Sequence, residues 1–386
     1  MTTPTQRIAI TVSGGYVPGL NAVITGVVVA ASELKWEVVG IRDGFEGLLF
    51  PDRYPDGGVV KLTRTVVEDH SGAGGALLGT AGRSDPFHVR TINAENGVEE
   101  VDRSDDLLEA LRAQGIAAVI SVVGNRALSI LWKLHRKGLK TVCVPKSVEN
   151  DMAATLLSFG FNSALSFATE TLDRVRQAAQ AARKIGVVEV LGEHAGWLAL
   201  QSGMAVCADA VLIPEIPYDM WKVAAKLQDR QKEGRSYGVV VVAEGATPVA
   251  GGPAQAVSQS LQQLKASLSP GATGDEGSHV VERSGQAAKT VALQLQRLTD
   301  RETYPLVLGQ LLRGGAPTAV DRQLGLGYGA GAVRALHDNQ SGVMLAFQPP
   351  DLKLVPLTEA INKVRVVPAN SLFVQIARSL GICLGD

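Results

Sequence analysis

A chain of 386 residues is too long for one small core and suits two lobes or domains. Hydrophobic residues make up 46% and charged residues 19%, so burial is ample and disorder is not the expectation. The formal net charge of −1 gives no general attraction to nucleic acid or to an anionic membrane, so any anion site must be local. Cys143, Cys207 and Cys383 are far apart in sequence, with no spacing for zinc or a disulfide framework. The opening M-T-T-P-T-Q-R has no apolar signal region and no apolar run reaches spanning length, so the cytoplasm is the expected compartment.

Arg7 to Val12 reads as a short apolar strand, followed at once by S-G-G-Y-V-P-G-L-N from Ser13 to Asn21 and a helical run from Ala22. Strand, glycine turn and helix start together make a phosphate cradle, in which backbone N–H groups of Gly14 and Gly15 face an anion. Neither a G-x-G-x-x-G fingerprint nor a P-loop is present. A strand at Glu37 to Ile41 comes next, then a second glycine-rich stretch, Gly72 to Arg83, ending in a cation. Glycines before arginine suit an anion held by backbone and clamped by guanidinium; a flexible loop with an exposed Arg83 suits the pattern equally.

Asp105 to Ala113 reads as a helix, Ala117 to Val123 as a strand, and G-N-R-A-L-S starts another helix. Thr141 to Val144 is a strand apolar on both faces, which Pro145 should end because it brings no N–H. Lys146, Ser147, Glu149 and Asp151 follow within six residues; past a parallel strand they would point into a ligand crevice, although a solvated loop also collects such charges. A long helix at Ser163 to Arg183 leads to strand Gly186 to Leu191 and the turn G-E-H-A-G-W, whose His194 is a ligand, a base or merely hydrogen-bonded. Strands at Ala210 to Ile213 and Gly238 to Val242 follow, the latter closing at Glu244. Residues 250–286 are rich in Gly, Ser, Gln and Ala and read as a mobile insertion. This alternation of strands and helices predicts doubly wound parallel sheets.

Taken together, the motifs resemble the phosphofructokinase family, whose members move a phosphoryl group from ATP or pyrophosphate to fructose 6-phosphate. The match runs in order through S-G-G-Y-V-P-G-L-N, G-G-A-L-L-G-T-A-G-R, P-K-S-V-E-N-D, G-F-N-S-A-L, G-E-H-A-G-W, I-P-E, V-A-E-G and L-G-Q-L-L-R-G-G-A-P-T-A-V-D-R. The resemblance implies two doubly wound α/β lobes with an interlobe cleft. A larger donor lobe would comprise 1–159 and 312–360, and a sugar-substrate lobe 160–311 and 361–386.

Carried over position by position, the resemblance makes Glu149 the base toward the sugar hydroxyl, in place of the first aspartate of the family's T-I-D-N-D, with Asp151 as the metal-linked acid. Lys146 is similar to the phosphate-contacting lysine of the pyrophosphate branch, and Ser147 matches the threonine. Gly14, Gly15, Arg83, Gly124, Asn125 and Arg126 would serve the donor; Asn125 fits the pyrophosphate type, while Arg126 stands where an acid helps hold Mg²⁺ and Val123 replaces a glycine. On the acceptor side the resemblance implies Ser147, Lys184, Gly192, Glu193, Glu244, Gln310 and Arg313. Lys184 stands in an arginine's place, Tyr304 and Gln310 replace an arginine and a histidine, Glu193 reverses a charge, and Tyr16 fills the place of an aspartate found in ATP-using members.

Two readings lead, ahead of a third in which an enzyme of another class uses the same crevice. One is a divergent phosphotransferase acting on a sugar or sugar phosphate, with pyrophosphate favoured over ATP as donor and Mg²⁺ weakly bound, or not bound if Arg126 blocks it. The other is a non-catalytic relative, either a regulatory subunit or a metabolite-binding protein. Both imply a homodimer or homotetramer, or a hetero-oligomer with an active paralogue, and neither calls for nucleic acid or membrane.

Overall fold

The computed structural model describes residues 6–80, 85–92, 98–250 and 285–386. Arg83 and residues 251–284 of the expected insertion lie outside them. The chain forms two compact α/β units: Met1–Val148, Met152–Ser163 and Arg313–Arg365 make the first, and Glu149–Asp151, Ala164–Leu312 and Val366–Asp386 the second. Among the described residues no helix is long and apolar enough to cross a membrane.

The first unit is built on β1 (Arg7–Val12), β2 (Glu37–Ile41), β3 (Val59–Leu62), β6 (Ala118–Val123), β7 (Thr141–Ser147), β8 (Phe159–Gly160), β13 (Val343–Gln348) and β14 (Asp351–Pro356), with β4 (Val89–Ile92) and β5 (Val98–Val101) as a separate hairpin. Spatial order is β14-β13-β7-β6-β1-β2-β3, with β8 on β7. Pairings among β2, β1, β6, β7 and β13 are parallel, and only the edges β3 and β14 run antiparallel. β1 and β6 are apolar and buried along nearly their whole length because helices cover both faces. Helices α2 (Ser104–Ala113) and α3 (Ala127–Arg136) put Leu107, Leu111, Leu128, Leu131 and Leu134 against Ala9, Val39 and Cys143. α1 (Leu20–Glu33) and α8 (Ala319–His337) pack along each other on the opposite face. A methyl group on Gly26 would collide with the Leu326 carbonyl, and one on Gly329 with that of Val23, so these glycines set the helix spacing.

One expectation is corrected here. Pro145 does not end its strand: β7 continues to Ser147, with Pro145 opposite Val123, Lys146 opposite Phe159 and Ser147 opposite Gly160. β13 accompanies β7 only as far as Cys143, so a residue without an N–H at 145 interrupts no bond to that neighbour. Lys146 and Ser147 are therefore buried strand residues, not members of a solvated loop.

The second unit has β9 (Ile185–Val190), β10 (Ala210–Leu212), β11 (Gly238–Ala243) and β12 (Thr303–Val307) in the order β10-β11-β9-β12, all parallel. α6 (Met220–Lys232) and α7 (Gln286–Thr299) cover one face through Met220, Val223, Leu227, Val291 and Leu295. α5 (Trp197–Ala205) packs on β10 and β11. α4 (Phe161–Ala182) leads into the sheet, and α9 (Leu372–Ser379) lies on α5.

Candidate active site

In the first unit the chain runs outward from β1 through β2 to β3, and from β6 through β7 and β13 to β14 in the other direction. Neighbouring β1 and β6 thus form the point where strand order reverses, and ligands of open parallel sheets bind beyond the carboxyl ends of the strands at such a point. The S-G-G-Y turn leaves β1 there, anchored by the Ser13 N–H donating to the Val122 carbonyl at 3.1 Å. Gly124, Asn125 and Arg126 leave β6 beside it, with Arg126 exposed as the first cap of α3.

Lys146 supplies the charge. Its side chain is 3% exposed, and its ammonium donates to the carbonyl of Gly14 at 2.9 Å and to that of Gly15. Burial pushes its pKa down to about 7, and the Arg313 guanidinium adds to the effect. Arg313 lies over the same turn: a methyl group on Gly15 would stand 3.3 Å from its Nη1. A buried lysine and a guanidinium therefore flank one glycine turn, an arrangement suited to a polyanion that draws the lysine into its charged form.

The second glycine stretch, described as far as residue 80, is tied into the first unit. Its amides at Ala73, Gly75, Leu77 and Gly79 donate within the protein, to the His70 carbonyl, the Tyr16 hydroxyl, Asn21 Oδ1 and the Ala76 carbonyl. A ligand anion meets no open row of N–H groups at those four positions. Asn21 also donates to the Ala73 carbonyl at 3.3 Å, so the last residue of the first motif scaffolds the second. Neither Asn21 nor Tyr16 stands out as a scaffold residue in sequence, because their partners are distant in the chain.

Asn125, expected to face the donor, gives its amide to the Lys363 carbonyl at 3.0 Å. Among the described residues no three His, Cys, Asp or Glu side chains gather as a metal-binding set. A protein-only Mg²⁺ cage therefore does not fit. A Mg²⁺ ion that keeps waters and ligand oxygens needs fewer protein carboxylates than such a cage.

The second unit gathers carboxylates. β9 and β11 are adjacent, so the turns after them meet: the Gly192 N–H faces Glu244 Oε1 at 3.4 Å, and the Gly245 N–H donates to the Gly192 carbonyl at 3.1 Å. The Glu193 N–H donates to Glu149 Oε2 at 3.3 Å. Glu149, Glu193 and Glu244 are partly buried acceptors on neighbouring turns, chemistry that takes hydroxyl donors more readily than phosphates. Glu215, quoted in the sequence only as part of I-P-E, holds this region together: it accepts from the Gly196 N–H at 3.0 and 3.1 Å and from the Val367 N–H at 2.7 Å.

The other expected acceptor residues have these local settings. Lys184 forms an ion pair with Glu302 at 2.5 Å, the Tyr304 hydroxyl donates to the Val175 carbonyl at 3.2 Å, and Gln310 is exposed in a short 3-10 turn. Ser147 belongs to the first unit beside Lys146.

Parallel sheets with a cation-flanked glycine turn at a strand-order reversal define an α/β protein of the phosphoryl-handling kind. The sequence profile of the Phosphofructokinase family matches residues 7–336, and the chain belongs to that family. It is 38% identical over 386 residues to an ATP-dependent 6-phosphofructokinase of Chloroflexus aurantiacus, covering 100% of this chain and 99% of the relative. An ATP-dependent 6-phosphofructokinase 3 of Streptomyces coelicolor is 37% identical over 367 residues, 94% of this chain and 97% of its own. The fold matches a pyrophosphate-dependent phosphofructokinase from Marinobacter aquaeolei with a TM-score of 0.74 at 19% identity, over 99% of this chain and 92% of that one.

Proposed function

We propose that this protein is a phosphotransferase that moves a phosphoryl group to the hydroxyl of a sugar or sugar phosphate such as fructose 6-phosphate. The observation that carries the proposal is the buried Lys146 ammonium bonded to Gly14 and Gly15 beside Arg313. Phosphoryl transfer is mostly positioning and electrostatic stabilisation, and a buried lysine and a guanidinium on one glycine turn supply both. Glu149 takes the proton of the acceptor hydroxyl, whose oxygen forms the new P–O bond as the donor's bridging oxygen leaves with the electron pair. Glu244 and Gly192 hold hydroxyls of the acceptor. Asp151 would be the protein carboxylate toward a Mg²⁺ ion bound with the donor phosphates, whose charge the ion would neutralise.

Pyrophosphate is the proposed donor, on the strength of Lys146 and Asn125. The names of the curated relatives favour ATP as a second reading. Affinity for fructose 6-phosphate is expected to be weak, because Lys184 is paired with Glu302 and Glu193 adds negative charge. The exposed Arg126 at the start of α3 keeps the non-catalytic reading alive. A cytoplasmic homo-oligomer completes the proposal.

The test is turnover of fructose 6-phosphate with pyrophosphate and with ATP, followed by phosphorus NMR in Mg²⁺ buffer, for the wild type, Glu149→Gln and Arg126→Asp. The proposal expects transfer that Glu149→Gln abolishes. If Arg126 blocks the metal, Arg126→Asp raises turnover; if it clamps phosphate, Arg126→Asp lowers it. No transfer from either donor in the wild type or in Arg126→Asp would hand the protein to the metabolite-binding reading, and ATP turnover well above that with pyrophosphate would reverse the donor.

A further inference from the structure

We infer that Tyr16 is a positioning residue for the anion site, its hydroxyl latching the loop that carries Arg313 to the second glycine stretch. The hydroxyl accepts from the Gly75 N–H at 2.7 Å and donates to the Gly315 carbonyl at 3.3 Å. These partners come from two separate segments, and Tyr16 itself follows Gly15, the residue over which Arg313 lies. The two loops are already in close approach, since a methyl group on Gly74 would stand 2.7 Å from the Gly315 carbonyl. The hydroxyl is thus a three-way junction of S-G-G-Y, G-A-G-G and R-G-G-A, and Arg313 is two residues from one of its arms.

Chemistry explains why a phenol suits this position. A tyrosine hydroxyl donates and accepts at once, whereas a carboxylate only accepts and would repel the Gly315 carbonyl. A carboxylate here would also place a negative charge beside Arg313 and weaken its pull on an anion. Tyr16 keeps the junction neutral.

This inference deepens the phosphotransferase reading and rests on it for the identity of the anion. Its test compares the wild type, Tyr16→Phe and Tyr16→Asp by hydrogen exchange of the 72–79 segment and by calorimetric titration with pyrophosphate, ATP and inorganic phosphate. Tyr16→Phe should speed exchange at Gly75 and weaken binding of the anions by about five- to tenfold, the size of one or two lost hydrogen bonds. Where turnover is seen, donor KM should rise with kcat nearly unchanged. Tyr16→Asp, whose carboxylate is too short to reach Gly75, should speed exchange there as well and weaken binding further. Faster exchange with unchanged anion affinity would make Tyr16 a scaffold residue only and overturn the inference, as would unchanged exchange in Tyr16→Phe. Loss of inorganic phosphate affinity in Tyr16→Phe, together with a wild type that transfers from neither donor, would sustain the role of Tyr16 while removing the phosphotransferase reading.

Discussion

The Lys146 ammonium donates to the Gly14 carbonyl at 2.9 Å from a position almost closed to water. Burial, aided by Arg313, lowers its pKa from 10.5 to about 7, so near neutrality a large share of the molecules carry a neutral amine. An arriving polyanion favours the charged form, and binding should draw in a proton. Titration of pyrophosphate in buffers of different ionisation enthalpy should show proton uptake above pH 7, with affinity falling as pH rises. Lys146→Met should remove both effects. Equal heats in every buffer would mean that Lys146 does not change protonation on binding. For folding, the unfolded chain holds the extra proton between about 7 and 10.5, so this group's contribution to stability rises with pH across that window and is lost as pH falls through about 7. Urea melts of the wild type and Lys146→Met at several pH values would reveal that slope.

Glu189 is 2% exposed on β9 and accepts the N–H groups of Gly285 at 2.5 Å and Ala288 at 2.8 Å at the start of α7. Glu189→Ala should destabilise the protein by about 2–3 kcal/mol, because two buried donors lose their partner. Burial raises the pKa of this carboxyl above 4.5 despite those bonds. Its contribution is therefore present in full below the unfolded value and lost as pH rises through the folded one, a slope that Glu189→Gln should erase in denaturant melts.

Gly26→Ala tests the helix spacing. The added methyl would collide with the Leu326 carbonyl, which is backbone and cannot swing aside. Overpacking of this kind costs about 1–3 kcal/mol, readable as a lowered melting temperature. An unchanged melting temperature would show that α1 and α8 separate freely.

The ion pair of Lys184 with Glu302 has an expected signature in acceptor binding. Glu302→Gln releases the lysine, whose side chain is 40% exposed, toward an anionic ligand. Because exposed pairs are worth only about 0.2–1 kcal/mol, affinity for fructose 6-phosphate should improve by no more than about fivefold. A weaker affinity in calorimetry would mean that the pair supports the site and does not compete with it.

The central strands were legible because their burial on both faces writes itself as unbroken runs of Val, Ile and Ala. β1 and β2 occupy the expected residues Arg7–Val12 and Glu37–Ile41. β5 escaped notice because all four of its residues are exposed, which leaves no apolar signal. β14, mostly exposed at the sheet edge, escaped for a similar reason. Pro145 misled because a proline stops a strand only where its missing N–H is needed. Lys146 and Glu149 could be picked out by charge in an apolar setting, but the two bonds of Tyr16 join residues 59 and 299 positions away. Pairings of that length follow from strand order, which local pattern does not encode.

Glu215 joins the Gly196 N–H to the N–H of Val367, which is 152 residues from Glu215 and beyond the residues 7–336 that the family profile matches. The turn that carries Glu193 is therefore braced by a C-terminal stretch that lies outside the profile's span but is shared in length by the full-length relatives. Substitutions beside Val367 can thus shift the turn from Gly192 to Gly196 without changing any residue in it.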